Sequence, residues 1–340
     1  MKLLSSWLLA SCAIGVLAGC SAPGLQKGNR PGAVTSAPAP QKWRGSFPDA
    51  RRTTTCPHPA VKILVMYGVD FPPEATEIFV RPYVVNLYAM EILEFPVSRK
   101  LVRDYLEWYL RHLNASDVNG LSGTMYDLYV DKQGKERWLQ TYDSADSYGA
   151  TFFSLLYRYF VRTGDRFLAD ENIDKLETIA YMMYALLDDD GLSWVWSGHD
   201  SKYLMDNCEV YMGLRDYTQL QKELWEETNS RYAEPAERLR ETIVRSLFNP
   251  LSLNFHFGLD RDGTLYESQW GKFYPDTLAQ IYPIAWEVLP ADSMLARHLW
   301  QQFDRLLSPD RLESEEQRVV ARMALNRLKA HGFDPEGEAK

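Results

Sequence analysis

Residues 147–187 read SYGATFFSLLYRYFVRTGDRFLADENIDKLETIAYMMYALL. The first part, Ser147–Arg162, is apolar on nearly every face and predicts a helix buried on all sides. Thr163-Gly164-Asp165 is a stop signal. The second part, Arg166–Leu187, alternates apolar and charged positions at helical spacing and stops at Asp188–Gly191, predicting a helix with one wet face. A fully apolar helix followed by an amphipathic one is the arrangement that two concentric helical layers require. The inner helix touches protein everywhere, and the outer one faces water on one side.

The same unit recurs on both sides. Tyr83–Glu94 is apolar and ends at Phe95-Pro96. Ser98–Leu113 is amphipathic, with Leu101, Val102, Tyr105, Leu106, Tyr109, Leu110 and Leu113 on one face. Further pairs are predicted at Asp206–Leu220 with Glu223–Phe248 and at Asp276–Leu289 with Asp292–Leu307. The first helix of each pair starts near residue 83, 147, 207 or 276, at intervals of 64, 60 and 69 residues. Such an interval marks one supersecondary unit repeated. A last helix is predicted near Ser314–His331, where Ser314 and Gln317 have capping-box spacing. Aromatic loops separate the pairs: Gly120–Tyr142 and Leu253–Gln269 read as β-hairpins, and Trp194–Tyr203 as an irregular loop. Ala60–Gly68, a short β-branched run, reads as a strand. The fold class is therefore mainly all-α, an (α/α) toroid of helical hairpins with short β-hairpins in its loops. Four complete pairs and one extra helix leave a closed ring, an incomplete one and an irregular bundle as the architectures to separate.

The N-terminus predicts the compartment. Lys2, the apolar run Leu3–Val16 and the small residues before Cys20 describe a secretory signal, too short for a membrane span. Leu17-Ala18-Gly19-Cys20 resembles the bacterial lipobox, which implies cleavage after residue 19, lipidation of Cys20 and a membrane anchor. Ser21, rather than an Asp, favours the outer membrane on that resemblance, facing the periplasm. An ordinary signal peptide with a chance cysteine is the other reading. Residues 20–57, rich in Pro, Ala, Gly and Ser, read as a flexible linker, and 58–335 as the folded domain. Cys56 and Cys208 remain as a pair that an oxidising compartment permits to bond, without sequence showing that they meet.

The chain carries a formal charge of −9. So acidic a surface argues against nucleic acid as a partner. No P-loop or dinucleotide motif appears, and none of the six His is spaced like a zinc site, so no cofactor or metal is expected. Asp188-Asp189-Asp190-Gly191 lacks the remaining ligand pattern of a calcium loop and reads as a solvated turn.

Residues 142–150 (YDSADSYGA), running into Leu155-Leu156-Tyr157-Arg158-Tyr159 and Arg162-Thr163-Gly164-Asp165, resemble an inner helix of the six-hairpin glycosidases. The likeness is greatest to glycoside hydrolase family 8, where D-x-D precedes such a helix and T-G-D follows it. Residues 203–211 and 274–283 look like later inner helices of that superfamily. The resemblance spans roughly 81–310. It implies a toroid acting on saccharides, with a general-acid Glu at the first inner helix. Here that helix is entered by Phe79-Val80-Arg81-Pro82-Tyr83, with no Glu at the matching place.

Glycoside hydrolysis needs two carboxyl groups, one to protonate the leaving oxygen and one to activate water or attack the sugar. The acids at predicted inner-helix starts are Asp143 and Asp146, Asp206 and Glu209, and Asp276. Asp146 or Asp206 would be base or nucleophile, and Glu209 an acid. Asp near a helix start is also a favoured cap, which applies most to Asp276. Trp138, Tyr142, Tyr148, Trp194, Trp196, Tyr203, Trp270 and Tyr274 fall near the same loop ends and supply rings suited to stacking on sugars. Two functions follow: an envelope glycoside hydrolase acting on a polysaccharide, such as an exopolysaccharide, or a non-catalytic carbohydrate-binding lipoprotein for polysaccharide assembly or export. A lyase using Tyr with His199 or His256 is a third.

Overall fold

The computed structural model describes residues 48–49, 51–306, 312 and 314–334. The expected signal segment, Cys20 and most of the expected linker lie outside the described residues. Packing begins ahead of residue 58: the Asp49 amide donates to the Met66 carbonyl at 2.9 Å, and Cys56 is buried.

The helices are α1 (Pro59–Met66), α2 (Pro82–Ile92), α3 (Arg99–Arg111), α4 (Ala145–Thr163), α5 (Phe167–Asp170), α6 (Ile173–Ala185), α7 (Leu204–Trp225), α8 (Ala233–Thr242), α9 (Tyr282–Ala285), α10 (Met294–Leu306) and α11 (Glu315–Ala330). Packing sorts them into two layers. In the inner layer α2 touches α4, α4 touches α7, α7 touches α9, α9 touches α11, and α11 returns to α2. The ring is closed, with five inner helices among the described residues. Outside it, α1 and α3 lie on α2, α6 on α4 and α7, α8 on α7, and α10 on α11. The fold is an (α/α) toroid.

Side-chain chemistry explains the sorting. Every residue of α4 from Ala145 to Leu156 is buried, as an inner helix requires. On α3 the buried set includes Val102, Tyr105, Leu106 and Tyr109, one stripe at helical spacing. Ser144 caps α4, its hydroxyl accepting from the Ser147 amide at 3.4 Å, and Gly164 ends it in the left-handed region at φ 69°. Buried Asn86 of α2 ties the layers together, donating to Thr151 Oγ1 of α4 at 3.0 Å and accepting from the Tyr105 hydroxyl of α3 at 2.8 Å.

Several expectations need correction. Ala60–Gly68 is α1, not a strand. A short run buried on every face has no period to separate strand from helix, and Pro59 at the first helical position starts the turn. This helix becomes a fifth outer member, so the ring closes with five pairs where four and a remainder were expected. Arg166–Leu187 breaks near Asn172 into α5 and α6. The predicted helix Glu223–Phe248 does not start at Glu223. Instead α7 runs through it to Trp225, Glu226 turns left-handed at φ 56°, and α8 passes into a wide turn at Ile243–Leu247. Asp276–Leu289 keeps regular helix only at α9. It is preceded by a wide turn over Phe273–Thr277, because Pro275 and Pro283 lack amide donors.

The loops carry three small antiparallel sheets. β1 (Glu77–Val80), β2 (Leu128–Asp131) and β3 (Glu136–Trp138) form one, and β4 (Ser201–Tyr203) joins β7 (Gly258–Asp260) and β8 (Leu265–Tyr266) in the second. β5 (Phe248–Asn249) pairs with β6 (Asn254–Phe255). β1, the β2–β3 hairpin, β4 and the β7–β8 hairpin each lead into an inner helix, so the first two sheets border one end of the ring. Cys56 and Cys208 are both buried free thiols.

Candidate active site

The first turns of α2, α4, α7 and α11 and the turn leading into α9 line one pocket of about 140 Å³. Arg81 and Tyr83 come from the start of α2, and Asp143, Ser144, Ser147 and Tyr148 from the start of α4. Met205 and Asp206 come from α7, Tyr274, Leu278 and Tyr282 from around α9, and Glu316 and Gln317 from α11. Three carboxyl groups, Asp143, Asp206 and Glu316, therefore face one small space from three inner helices.

A buried layer supports it. Glu209, one turn beyond Asp206, is 1% exposed, and its Oε1 accepts from the Tyr83 hydroxyl at 2.8 Å. Burial pushes the Glu209 carboxyl up to about 8. Asp146 is fully buried; its Oδ1 accepts from the Ser144 hydroxyl at 2.5 Å and from the Ser147 amide at 2.8 Å. Burial raises it to about 7. Asp206 sits well above the ordinary carboxylate range, first through burial and then through Asp146, Glu209 and Asp143. Asp206 and Glu209 are raised further by their carboxyl neighbours, because like charges in a low-dielectric site resist joint ionisation. On the far side, the Tyr148 hydroxyl donates to Asp127 Oδ1 at 2.6 Å, and burial raises Asp127 to about 6. Arg81 Nε is buried with no hydrogen-bond partner among the described residues.

The structure thus brings together Asp143 and Asp206 at the pocket surface, with Glu209 and Asp146 in the layer supporting them. Asp276 is not among the lining residues. Its Oδ1 accepts from the Gln269 amide at 3.0 Å and its Oδ2 lies 3.2 Å from Lys272 Nζ, so it ties down the preceding loop. Of the eight aromatics, Tyr148 and Tyr274 line the pocket. Trp138 stacks on Trp108 at 6.0 Å. Trp194 lies under Lys202 Nζ, 4.1 Å from the ring centroid. Tyr142, Trp196, His199, Tyr203 and Tyr266 form a chain of ring contacts 4.2–6.2 Å apart in the loops, and the Trp270 carbonyl accepts from Thr277.

Sequence reasoning missed Arg81, Tyr83, Tyr282 and Glu316. Glu316 obeys the rule that found the others, an acid in the first turn of an inner helix. Neither His199 nor His256 lines the pocket, so the lyase arrangement is not formed there. Asp188 and Asp190 both accept from buried Lys202 Nζ, at 2.6 and 2.7 Å, so their turn holds an ammonium. No group of three or more His, Cys, Asp or Glu among the described residues is arranged to hold a metal ion.

No protein-family model and no curated protein sequence matches the chain. Solved structures do. A rhamnosidase from Klebsiella oxytoca with rhamnose bound superposes with a TM-score of 0.53 at 14% identity, over 81% of this chain and 56% of its own. A cellobiose 2-epimerase from Bacillus thermoamylovorans gives 0.42 at 8% identity, over 76% of this chain and 62% of its own. The GH76 α-mannanase of Bacteroides thetaiotaomicron gives 0.40 at 11%, over 74% and 61%. The chain spans just over half the length of the rhamnosidase, and that likeness shows the shared toroid fold.

Proposed function

We propose that the protein is a glycoside hydrolase acting on a polysaccharide, held at the cell envelope by a lipidated Cys20. The observation that carries this reading is the convergence of Asp143, Asp206 and Glu316 on one pocket walled by Tyr148 and Tyr274, above the buried pair Glu209 and Asp146. The toroid's likeness to a rhamnosidase supports a sugar as the substrate class.

The electrostatics divide the roles. Asp206 holds its proton, because burial and neighbouring carboxyls disfavour its charge. It is the group to protonate a leaving glycosidic oxygen. Asp143, exposed at the pocket mouth, is the carboxylate to take a proton from water or to attack the anomeric carbon. Glu209, fixed by Tyr83, is a positioning and proton-holding group beneath Asp206. Arg81, lining the pocket beside these acids, offers its positive charge to the bound sugar. Asp146, sealed beneath Ser144 and Ser147, does not serve as the base itself.

A second reading, a saccharide-binding protein without catalysis, is favoured by one observation: α2 contributes Arg81 and Tyr83 to the pocket and no acid. Reducing-end release from a panel of bacterial and plant polysaccharides separates the two, comparing the full chain with Asp206→Asn and Asp143→Asn. Release abolished in a folded variant supports hydrolysis. Saturable saccharide binding with no release by the wild type moves the assignment to the binding protein. Neither release nor binding overturns both.

A further inference from the structure

The end of the ring opposite the carboxyl pocket holds a larger open cavity, of about 670 Å³. Its walls come from the later turns of α4, α7 and α11, with Glu94 just beyond α2 and Glu287 just beyond α9. Four guanidinium groups face it, Arg158, Arg162, Arg215 and Arg327, against the carboxyls of Glu94, Asp216 and Glu287. The pairing is uneven. Glu94 takes Arg162 at 2.7 Å, and Glu287 takes both Arg215 and Arg327. Asp216, 3% exposed, lies 3.5 Å from Arg215.

Arg158 is left over. Among the described residues no hydrogen bond reaches its guanidinium and no carboxylate oxygen comes within 4.0 Å of it, although it is half-buried. Helix C-terminal carbonyls at this end favour cations in general, which accounts for arginines being there. It does not account for a five-donor fork left unbound beside two others. Burial and the mutual repulsion of Arg158, Arg215 and Arg327 push Arg327 down to about 10. Four guanidinium groups against three carboxyls leave one cation in excess among the lining residues.

We propose that this cavity is an anion site for a phosphate-class oxyanion, with Arg158 as its bidentate ligand and Arg162 and Arg327 at its rim. A planar guanidinium with free donors matches two oxygens of such an ion, and a multiply charged anion offsets the excess of cations. The site stands apart from the carboxyl pocket and does not depend on the function proposed for it.

Calorimetric titration of the full chain with inorganic phosphate, at ionic strength held constant with chloride, tests it. The wild type is expected to bind saturably. Arg158→Gln is expected to weaken binding by about tenfold or more and to leave the protein folded, because Arg158 has no hydrogen-bond or ion-pair partner among the described residues and loses only the longer-range attraction of carboxyls such as Asp216 and Glu94. Arg158→Lys, keeping the charge without the fork, falls between. Arg81→Gln, in the other pocket, leaves phosphate binding unchanged. Glucose 6-phosphate in place of phosphate identifies the source: tighter binding marks a phosphorylated sugar, equal binding the free ion, and both support the site. Heat no larger than the chloride control, binding retained in Arg158→Gln, binding lost in Arg81→Gln, or unfolding of Arg158→Gln each overturns the proposal.

Discussion

The Tyr83 hydroxyl donates a 2.8 Å hydrogen bond to Glu209 Oε1 across 126 residues of sequence, joining the first turn of α2 to the buried floor of the carboxyl pocket. The contact gives α2 a part in the site without an acid of its own. A donor to the charged form lowers a carboxyl's pKa, so Tyr83 works against the burial that raises Glu209. Tyr83→Phe should therefore raise the Glu209 pKa further and move the alkaline limb of any pH–rate profile upward. We expect kcat to fall by up to about tenfold, the scale of one hydrogen bond, with KM nearly unchanged. A fall in kcat with no movement of the pH profile would show that Tyr83 only packs.

Stability should also depend on pH. An unfolded chain releases the Glu209 proton near the ordinary 4.5, whereas the folded protein keeps it to about 8. Asp146 behaves alike, from 3.8 to about 7. Between those limits the folded state binds more protons than the unfolded one. The stabilisation is complete below about 4 and is lost as pH rises toward 8. The slope is about 1.4 kcal/mol per pH unit for each proton retained. Denaturation between pH 5 and pH 8 should show falling stability, and Glu209→Gln should flatten the curve. A wild-type curve rising across that window would contradict the buried-proton arrangement.

Asp206 and Asp276 both read in sequence as acids near inner-helix starts, and the structure separates them. Asp206→Asn should remove the proposed proton donor and reduce turnover by about 10²–10⁴-fold while the protein stays folded. Asp276→Asn should act on the loop it holds through Gln269 and Lys272. The expected cost is about 1–3 kcal/mol of stability, with turnover of the folded fraction retained. Chemical denaturation beside initial rates distinguishes the two, and equal loss of turnover in both variants would reinstate Asp276 as a site residue.

The same contrast shows what sequence could reveal. The inner and outer character of residues 147–187 was legible because an inner helix has no polar face, an outer one has half, and Gly164 marks the junction in the left-handed region, whereas the break near Asn172 was not. Ala60–Gly68 was not, since a short segment buried all round carries no period. Asp143 and Asp206 were found by their place in a repeat. Glu316 occupies an equivalent place but sits on a helix that had no visible partner until α1 supplied the fifth outer member. Arg81 and Tyr83 carry no local sign of function, because their role depends on Glu209, far away in sequence. Trp138 and Trp194 look like sugar platforms in a loop, yet an aromatic ring also satisfies itself against Trp108 or beneath Lys202, and composition does not distinguish these outcomes.

The approach of α4 to α7 makes the site possible, and Gly213 sets it. A Cβ at Gly213 would lie 2.5 Å from Ala150 Cα and 2.8 Å from the Ala150 carbonyl oxygen, atoms of a buried backbone that cannot rotate away. Alanine favours a helix over glycine by about 1 kcal/mol, but overpacking against backbone costs about 1–3 kcal/mol or more. Gly213→Ala should be net destabilising and should spread the helices that carry Asp143 and Asp206, lowering turnover even where the chain folds. Gly149→Ala on α4 is the control. Its Cβ would meet Met182 Cε, a flexible end that can shift, and Ile179 Cγ2, a stiffer branch, both at 3.0 Å and neither of them backbone, so the loss of stability and turnover should be smaller than at Gly213. Similar melting temperatures and rates for the two variants would mean that the α4–α7 contact yields as easily as a side chain, and that the spacing of the carboxyls is set elsewhere.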